Sequence, residues 1–201
     1  MDTKEKILQV SLKLFARDGY EGVSVRNIAE ELGITKGALY KHYENKHDIF
    51  DSIIQRMEKM DAQKAKEFDV PVGTFEDAEY DYRNVAFGDI KAFSIKMFKY
   101  WTEDEFASNF RKMLTLEQYR NPKMASLLNQ YLTGGVIGYA KDLIGESVLN
   151  TKNSDKDPEI LALEYFAPIY MMMGISDSME NKGAAKEMVE KHIDYFMGNL
   201  R

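Results

Sequence analysis

The sequence contains no cysteine. A disulfide framework, a thiol nucleophile and a cysteine metal site are therefore excluded. Long apolar runs are also missing, because the longest, residues 165–175, is far shorter than the roughly 20 residues that a membrane-spanning helix needs. Residues 1–15 mix lysines and acids with apolar residues, unlike a signal peptide. We therefore predict a cytoplasmic protein that has no membrane partner.

An excess of positive charge is absent too, since the 201 residues carry a net charge of −6. Residues 1–60 are neutral, however, and the acidic excess lies in the remainder. Within the neutral segment, residues 35–47 contain Lys36, Lys41 and Lys46 against Glu44 alone. This local positive charge is compatible with a nucleic-acid contact, although the whole chain is acidic.

Strand-like alternation is absent, whereas helical periodicity recurs along the chain. The pattern predicts an all-α fold of about nine helices, in which residues 122–144 form a single helix. Asn121-Pro122 and Asp157-Pro158 each place a capping residue before a proline at the first helical position. Two stretches, Asp69–Gly88 and Leu149–Asp157, have the composition of a linker and a polar loop.

Three short helices near the N-terminus meet the requirements of a helix-turn-helix unit. Ala29 is small enough for close helix crossing, Gly33 suits the turn, and Ile34 can anchor the turn in the core. The third helix then presents a surface with little bulk in its first turn, so it can enter a major groove deeply. That surface consists of Thr35, Lys36, Gly37, Tyr40, Lys41 and His42.

Residues 22–46 read GVSVRNIAEELGITKGALYKHYENK. This segment resembles the DNA-binding signature of the TetR/AcrR family of transcriptional regulators, and the resemblance extends over residues 3 to about 55. Tyr43 is a mild departure, because the family more often has phenylalanine there. The resemblance implies a DNA-binding domain at residues 1–48 and an effector-binding and dimerisation domain at residues 49–201.

The resemblance also implies roles for individual residues. Positions that commonly touch DNA phosphates in the family are matched by Ser24, Thr35, Lys36, Tyr40, His42 and Lys46. Positions at or near base edges are matched by Arg26, Gly37 and Lys41.

Three of these assignments have structural alternatives. Tyr40 could be a core aromatic, although its neighbour Leu39 already points inward and places Tyr40 about 100° away. Arg26 could simply pair with Glu30 one turn later. His42 and His47 could be imagined as metal ligands, but their spacing of five fits one helical face poorly and no third ligand is evident. We predict no metal site.

The C-terminal region is rich in aromatic residues and methionines. Such residues at helical spacing are commonly plain core, whereas the family resemblance implies a cavity for a small-molecule effector. Pro168 should bend its helix, which could open a pocket or be a harmless bend. The residues we predict for a ligand site are Phe98, Trp101, Phe110, Met113, Tyr131, Tyr170 and Met171.

The last two helices are apolar on more than one face. They could be buried within one chain or form a four-helix interface in a homodimer, and we predict the homodimer. Its predicted interface residues are Leu161, Phe166, Ile169, Met173, Met188, Ile193, Phe196 and Met197.

These observations predict a homodimeric, ligand-responsive regulator that binds a pseudo-palindromic double-stranded DNA operator, and the resemblance favours a repressor that an effector releases. One alternative is a DNA-binding regulator that recruits a protein partner instead of a small molecule. Another is an all-α enzyme or binding protein that retains a vestigial DNA-binding domain. No catalytic constellation supports an enzyme, so we predict no enzymatic activity and no cofactor.

Overall fold

The computed structural model describes residues 2–67, 87–148 and 156–200. These residues form ten α-helices and no strand, which confirms the predicted all-α class. The helices are α1 (Thr3–Asp18), α2 (Val25–Glu31), α3 (Lys36–Leu39), α4 (Lys46–Glu67), α5 (Phe87–Glu103), α6 (Glu105–Glu117), α7 (Pro122–Leu132), α8 (Gly134–Val148), α9 (Pro158–Asp177) and α10 (Lys182–Asn199).

Polar side chains cap the helices where the sequence predicts caps. The Asn121 carboxamide oxygen accepts from the backbone N–H of Lys123 at 3.0 Å, and the Asp157 carboxylate accepts from that of Glu159 at 2.9 Å. Asn45 does the same for Asp48 at 3.0 Å. Each cap satisfies an N–H that has no partner within its own helix, so the helix starts are encoded locally.

The region predicted as one helix over residues 122–144 is two helices, and that prediction was wrong. The Asn129 side-chain oxygen accepts from the Gly134 N–H at 3.2 Å and from the Thr133 hydroxyl at 3.2 Å, in competition with the regular helical ladder. The approach requires glycine, because a Cβ on Gly134 would lie 2.5 Å from that oxygen and one on Gly135 would lie 2.4 Å from the Gln130 carbonyl.

One compact unit contains residues 2–67 and 105–128. Its helix α1 packs against α2, α4 and α6. The core of this unit contains fully buried apolar side chains from all these elements, including Ile7, Phe15, Ile28, Leu39, Ile49, Met57 and Phe110. Burying one such side chain stabilises the fold by about 1.5–3 kcal/mol. The N-terminal helices are therefore held by a core that extends well beyond residue 48.

The other compact unit contains the described residues among 87–104 and 129–200. In it α9 packs against α5, α8 and α10, and α10 also packs against α5. Lys182 at the start of α10 donates to the Thr102 carbonyl at 2.7 Å, and Lys91 pairs with Asp194 at 2.5 Å. Pro168 lies inside α9 without ending the helix. The functional division predicted at residue 48 stays a prediction, because packing units and functional domains need not coincide.

Most of the two predicted irregular segments, Asp69–Gly88 and Leu149–Asp157, lies outside the described residues. Among the helices that the structure does describe, none has both the length and the apolar character needed to cross a membrane.

Candidate nucleic-acid interface

Helix α2 begins at a reciprocal cap. The Ser24 hydroxyl oxygen accepts from the Asn27 backbone N–H at 3.2 Å, and the Asn27 side-chain oxygen accepts from the Ser24 backbone N–H at 2.9 Å. The Ser24 hydroxyl also lies 2.6 Å from the same Asn27 oxygen, to which it can only donate. Ser24 is exposed, as a phosphate contact requires, but its hydroxyl proton is engaged within the protein.

The turn between α2 and α3 has the predicted composition. Gly33 has a φ of +65°, where glycine is favoured. Ala29, four residues earlier in the motif, is buried. The Ile34 N–H donates to the Ala29 carbonyl at 2.9 Å, which closes the turn. The Ile34 side chain is half-buried. These contacts fix where α3 begins.

Helix α3 presents an exposed surface over one buried anchor. Leu39 is fully buried, whereas Tyr40 is 50% exposed, as the 100° displacement predicts. Thr35 caps α3 by accepting from the Ala38 N–H at 3.1 Å, and its hydroxyl proton stays available to donate. Lys36, Gly37 and Lys41 are exposed as well. A Cβ on Gly37 would approach no atom closer than 3.8 Å.

His42 and Lys46 are less open than the other predicted contacts. His42 is half-buried, and the Lys46 side chain is only 23% exposed. The Lys46 ammonium donates to the Tyr20 carbonyl at 2.9 Å and lies 4.2 Å from the centre of the Tyr20 ring. Lys46 therefore ties the start of α4 to the turn after α1, a structural role that sequence reasoning missed.

Arg26 adopts the structural alternative considered for it. Its Nε lies 2.6 Å from a Glu30 carboxylate oxygen, and both side chains are exposed. This hydrogen bond raises the pKa of the Arg26 guanidinium, which is charged in either case. A base contact by Arg26 stays a prediction and would require exchange of this pair.

The two histidines in this region are not brought together as a metal site. His47 lies 3.4 Å from Asp51 one turn further along α4. Within the described ranges, no cluster of three or more His, Asp or Glu side chains could hold a metal ion.

The residues predicted for a ligand site are divided between the two units. Phe110 and Met113 are fully buried in the first unit. In the second unit, Phe98, Trp101 and Tyr131 are buried, Tyr170 is half-buried and Met171 is 58% exposed. The rings of Trp101 and Tyr131 lie 6.5 Å apart, at a distance usual for aromatic pairs in a core. The ligand contacts stay predictions.

The predicted interface residues occupy mainly the inner faces of α9 and α10. Met188 is 57% exposed, whereas the other seven are buried by the chain itself: Leu161, Phe166, Ile169, Met173, Ile193, Phe196 and Met197. The exposed large apolar side chains on the same two helices are Ile160, Leu163, Met171, Ile175, Met188 and Tyr195. A groove of about 650 Å³ also opens there, lined in part by Leu161, Glu164, His192 and Tyr195.

Sequence reasoning also missed a neighbour of the start of α4. The Lys123 ammonium donates to Asp51 at 3.0 Å and lies 5.3 Å from the centre of the Phe50 ring. Lys123 is 72 residues from Asp51 in the chain, so no local pattern could reveal this contact. The reciprocal role of Asn27, by contrast, could have been read from its position three residues after Ser24.

The fold and the exposed α3 define a helix-turn-helix protein. The family model described as bacterial regulatory proteins, tetR family, matches residues 7–53. An HTH-type transcriptional regulator from Staphylococcus aureus (strain bovine RF122 / ET3-1) is 39% identical over 56 residues. This alignment covers 28% of the chain and 30% of that relative. A second such regulator, from strain USA300, is 40% identical over 55 residues, again 30% of its length.

Solved structures extend the likeness to the whole fold. A TetR-family transcriptional regulator from Marinobacter aquaeolei VT8 superposes with a TM-score of 0.64 at 20% identity, covering 100% of both chains. A transcriptional regulator from Saccharomonospora viridis in complex with choline gives 0.66 at 19% identity, covering 97% of this chain and 95% of that one. The N-terminal segment is therefore similar to the tetR family of regulatory proteins, and the chain shares the fold of solved TetR-family structures.

Proposed function

We propose that this protein is a homodimeric transcriptional regulator of the cytoplasm that binds a pseudo-palindromic DNA operator and releases it when a small molecule binds. The observation that carries the proposal is the surface of α3. Thr35, Lys36, Gly37 and Tyr40 are exposed above a fully buried Leu39. An exposed helix that is fixed from beneath suits insertion into a major groove.

The surface also suits phosphate. Lys36 and Lys41 are exposed cations, and Thr35 retains a hydroxyl proton that it can donate. Tyr40 lies at the end of α3 with half of its surface exposed, so its ring and hydroxyl are available to a sugar–phosphate backbone. Ser24 can contribute only if its hydroxyl exchanges Asn27 for a phosphate oxygen.

A dimer is supported by the unpartnered side of α9. Ile160, Leu163, Ala167 and Met171 are exposed at intervals of three and four residues, so they form a stripe along one helical face. Met188 and Tyr195, seven residues apart on α10, are exposed as well. Exposed apolar stripes of this kind are typical of an interface. Two recognition helices in one dimer would enter successive major grooves about 34–36 Å apart.

The effector is proposed to be a small molecule. The similar structure from Saccharomonospora viridis is in complex with choline, and another similar structure is that of SmeT, the repressor of a multidrug efflux pump of Stenotrophomonas maltophilia. A small molecule would act here only by binding one of two conformations more tightly than the other.

Selection of duplexes from a random DNA pool tests the proposal. The purified wild-type protein should enrich an inverted repeat, and Tyr40→Ala should bind that repeat at least about tenfold more weakly while remaining folded. Tyr40→Phe is the matched variant, because it keeps the ring and removes only the hydroxyl. Failure of the folded wild-type protein to enrich any sequence, with and without cell extract as a source of effector, would overturn the proposal.

A further inference from the structure

Residues 118–123, which comprise the connection between α6 and α7 and the first two residues of α7, are held against the helix-turn-helix region at two points. We call this segment the α6–α7 corner. Glu117, the last residue of α6, is 1% exposed, and a Cβ on Gly19 would lie 2.5 Å from its Oε1. The end of α6 therefore lies directly against the turn that follows α1.

The second point is Lys123. Its ammonium donates to Asp51 at 3.0 Å, and Asp51 also lies 3.4 Å from His47. The Asp51 carboxylate thus lies between Lys123 and His47 in the first turn of α4, where Lys46 is a predicted phosphate contact. Because all these residues belong to one compact unit, the α6–α7 corner is fixed relative to α4.

The outward side chains of the corner are exposed and suited to phosphate. Tyr119 is 89% exposed, and Arg120 is exposed as well. Within the described part of the chain, neither side chain forms a hydrogen bond or an ion pair, although the Arg120 backbone N–H donates to the Glu117 carbonyl at 2.9 Å. The Lys123 side chain is 51% exposed and uses one of its three N–H donors on Asp51, which leaves two.

The acidic groups near these cations are either paired or buried. Asp51 is paired with Lys123 and near His47, and Glu21 lies 3.9 Å from Lys46. Glu117 is buried rather than presented to solvent. A guanidinium, an ammonium and a phenol therefore face outward, a set that complements a polyanion better than an apolar or basic protein surface.

We propose that the α6–α7 corner is a second phosphate-binding surface, through which Arg120, Lys123 and Tyr119 hold the backbone of the same duplex that α3 reads. This inference rests on the proposed function. Its partner is duplex DNA because the corner is continuous with the start of α4. The contact carries no sequence information, because it is made to phosphates. It adds affinity and fixes the register of α3 on the duplex.

The test uses a duplex that the wild-type protein selects from the random pool, with at least about ten base pairs added at each end. The double variant Arg120→Ala/Lys123→Ala should select the same sequence. Its plot of log affinity against log salt concentration should be less steep by about two for each subunit, one for each lost phosphate contact. Hydroxyl-radical cleavage should show lost protection at sugars other than those exposed by Tyr40→Ala.

The matched control is Lys186→Ala/Lys191→Ala, which also removes two positive charges but from α10, where both lysines are paired with glutamates. It should keep the wild-type slope and protection. Arg120→Ala alone should reduce the slope by about one, and it leaves Asp51 paired in case loss of Lys123 disturbs the fold.

Three results separate the possibilities. Wild-type slope and protection in the folded Arg120→Ala protein and in the double variant would overturn the second surface and leave the proposed function standing. An equal loss in the α10 control would attribute the effect to net charge and would also overturn it. Absence of any duplex binding by the wild-type protein would overturn the proposed function, and the second surface with it.

Discussion

Gly19 is the residue whose backbone most clearly requires glycine. Its φ of 78° and ψ of 154° fall in a region that is essentially restricted to glycine. The position of Gly19 after the last turn of α1 predicts a left-handed residue; its φ is positive as expected, but its ψ of 154° lies outside the left-handed helical region. The crowding by Glu117 could not be predicted, because 98 residues separate the two in the chain.

Gly19→Ala should therefore lower the free energy of unfolding by about 1–3 kcal/mol. The added Cβ would also lie 2.5 Å from the Glu117 carboxylate, which has to shift. Urea unfolding at neutral pH measures the change. Gly37→Ala is the control, since Gly37 has no positive φ and no atom closer than 3.8 Å, and it should not be destabilised. Equal stability of the Gly19→Ala and wild-type proteins would refute the strain argument.

Tyr43 makes the stability of the fold depend on alkaline pH. Burial raises the pKa of Tyr43 to about 12, with smaller effects from Glu5, Asp48 and Asp2. In the unfolded chain the phenol ionises near pH 10. Between about pH 10 and about pH 12, the unfolded state therefore loses a proton that the folded state keeps. The contribution is fully present below pH 10 and is lost as the pH rises through 12.

Tyr43→Phe should make the free energy of unfolding fall less steeply over that pH range, as urea unfolding at pH 9 and pH 11 would show. Some slope should remain, because burial also raises the pKa of Tyr165 to about 12. Tyr119→Phe is the control, since that ring is 89% exposed, and its slope should equal that of the wild-type protein. A Tyr43→Phe slope as steep as the wild-type slope would contradict the assignment.

At the scale of the elements, helix starts were predictable where they depend on neighbouring residues. The caps at Asn121 and Asp157 follow from residues within three positions, and the cap at Asn45 is equally local. The break between α7 and α8 was not predicted, because it depends on a side chain of α7 competing for the Gly134 N–H. Apolar periodicity continues through such a break and so conceals it.

Within the helix-turn-helix region, we expect the cap of α2 to contribute to the stability of the fold. Ser24→Ala removes the acceptor of the Asn27 N–H and should cost about 1 kcal/mol of stability, whereas Ser24→Thr should cost less because it keeps an acceptor. Thermal unfolding of the three proteins measures the order. If Ser24→Ala were as stable as the wild-type protein, the Asn27 side chain alone would be sufficient to hold α2.

At the scale of the whole molecule, the class of fold was predictable, but which helix faces the chain buries in its core was not. The helical pattern identifies α9 and α10 as apolar, yet it cannot distinguish the face that the chain covers from the face that it leaves open. Seven of the eight predicted interface residues lie on the covered face, with Met188 as the exception. In the same way, α6 belongs to the unit of the N-terminal helices, because α1 packs against it over a long sequence separation.

The open face of α9 gives the sharpest test of assembly. Leu163 is 46% exposed and Met171 is 58% exposed, eight residues apart on one helical face, so Leu163→Glu/Met171→Glu places two charges there without entering the core. If this face covers a second copy, the variant should sediment as a folded monomer at concentrations where the wild-type protein is a dimer, because each buried carboxylate would lack a partner. Leu116→Glu, at a 48% exposed position on α6, should leave the dimer intact. A double variant that stays dimeric would place the interface elsewhere. A monomer that binds a single half-site weakly would show that the DNA-binding domain folds and acts independently of assembly.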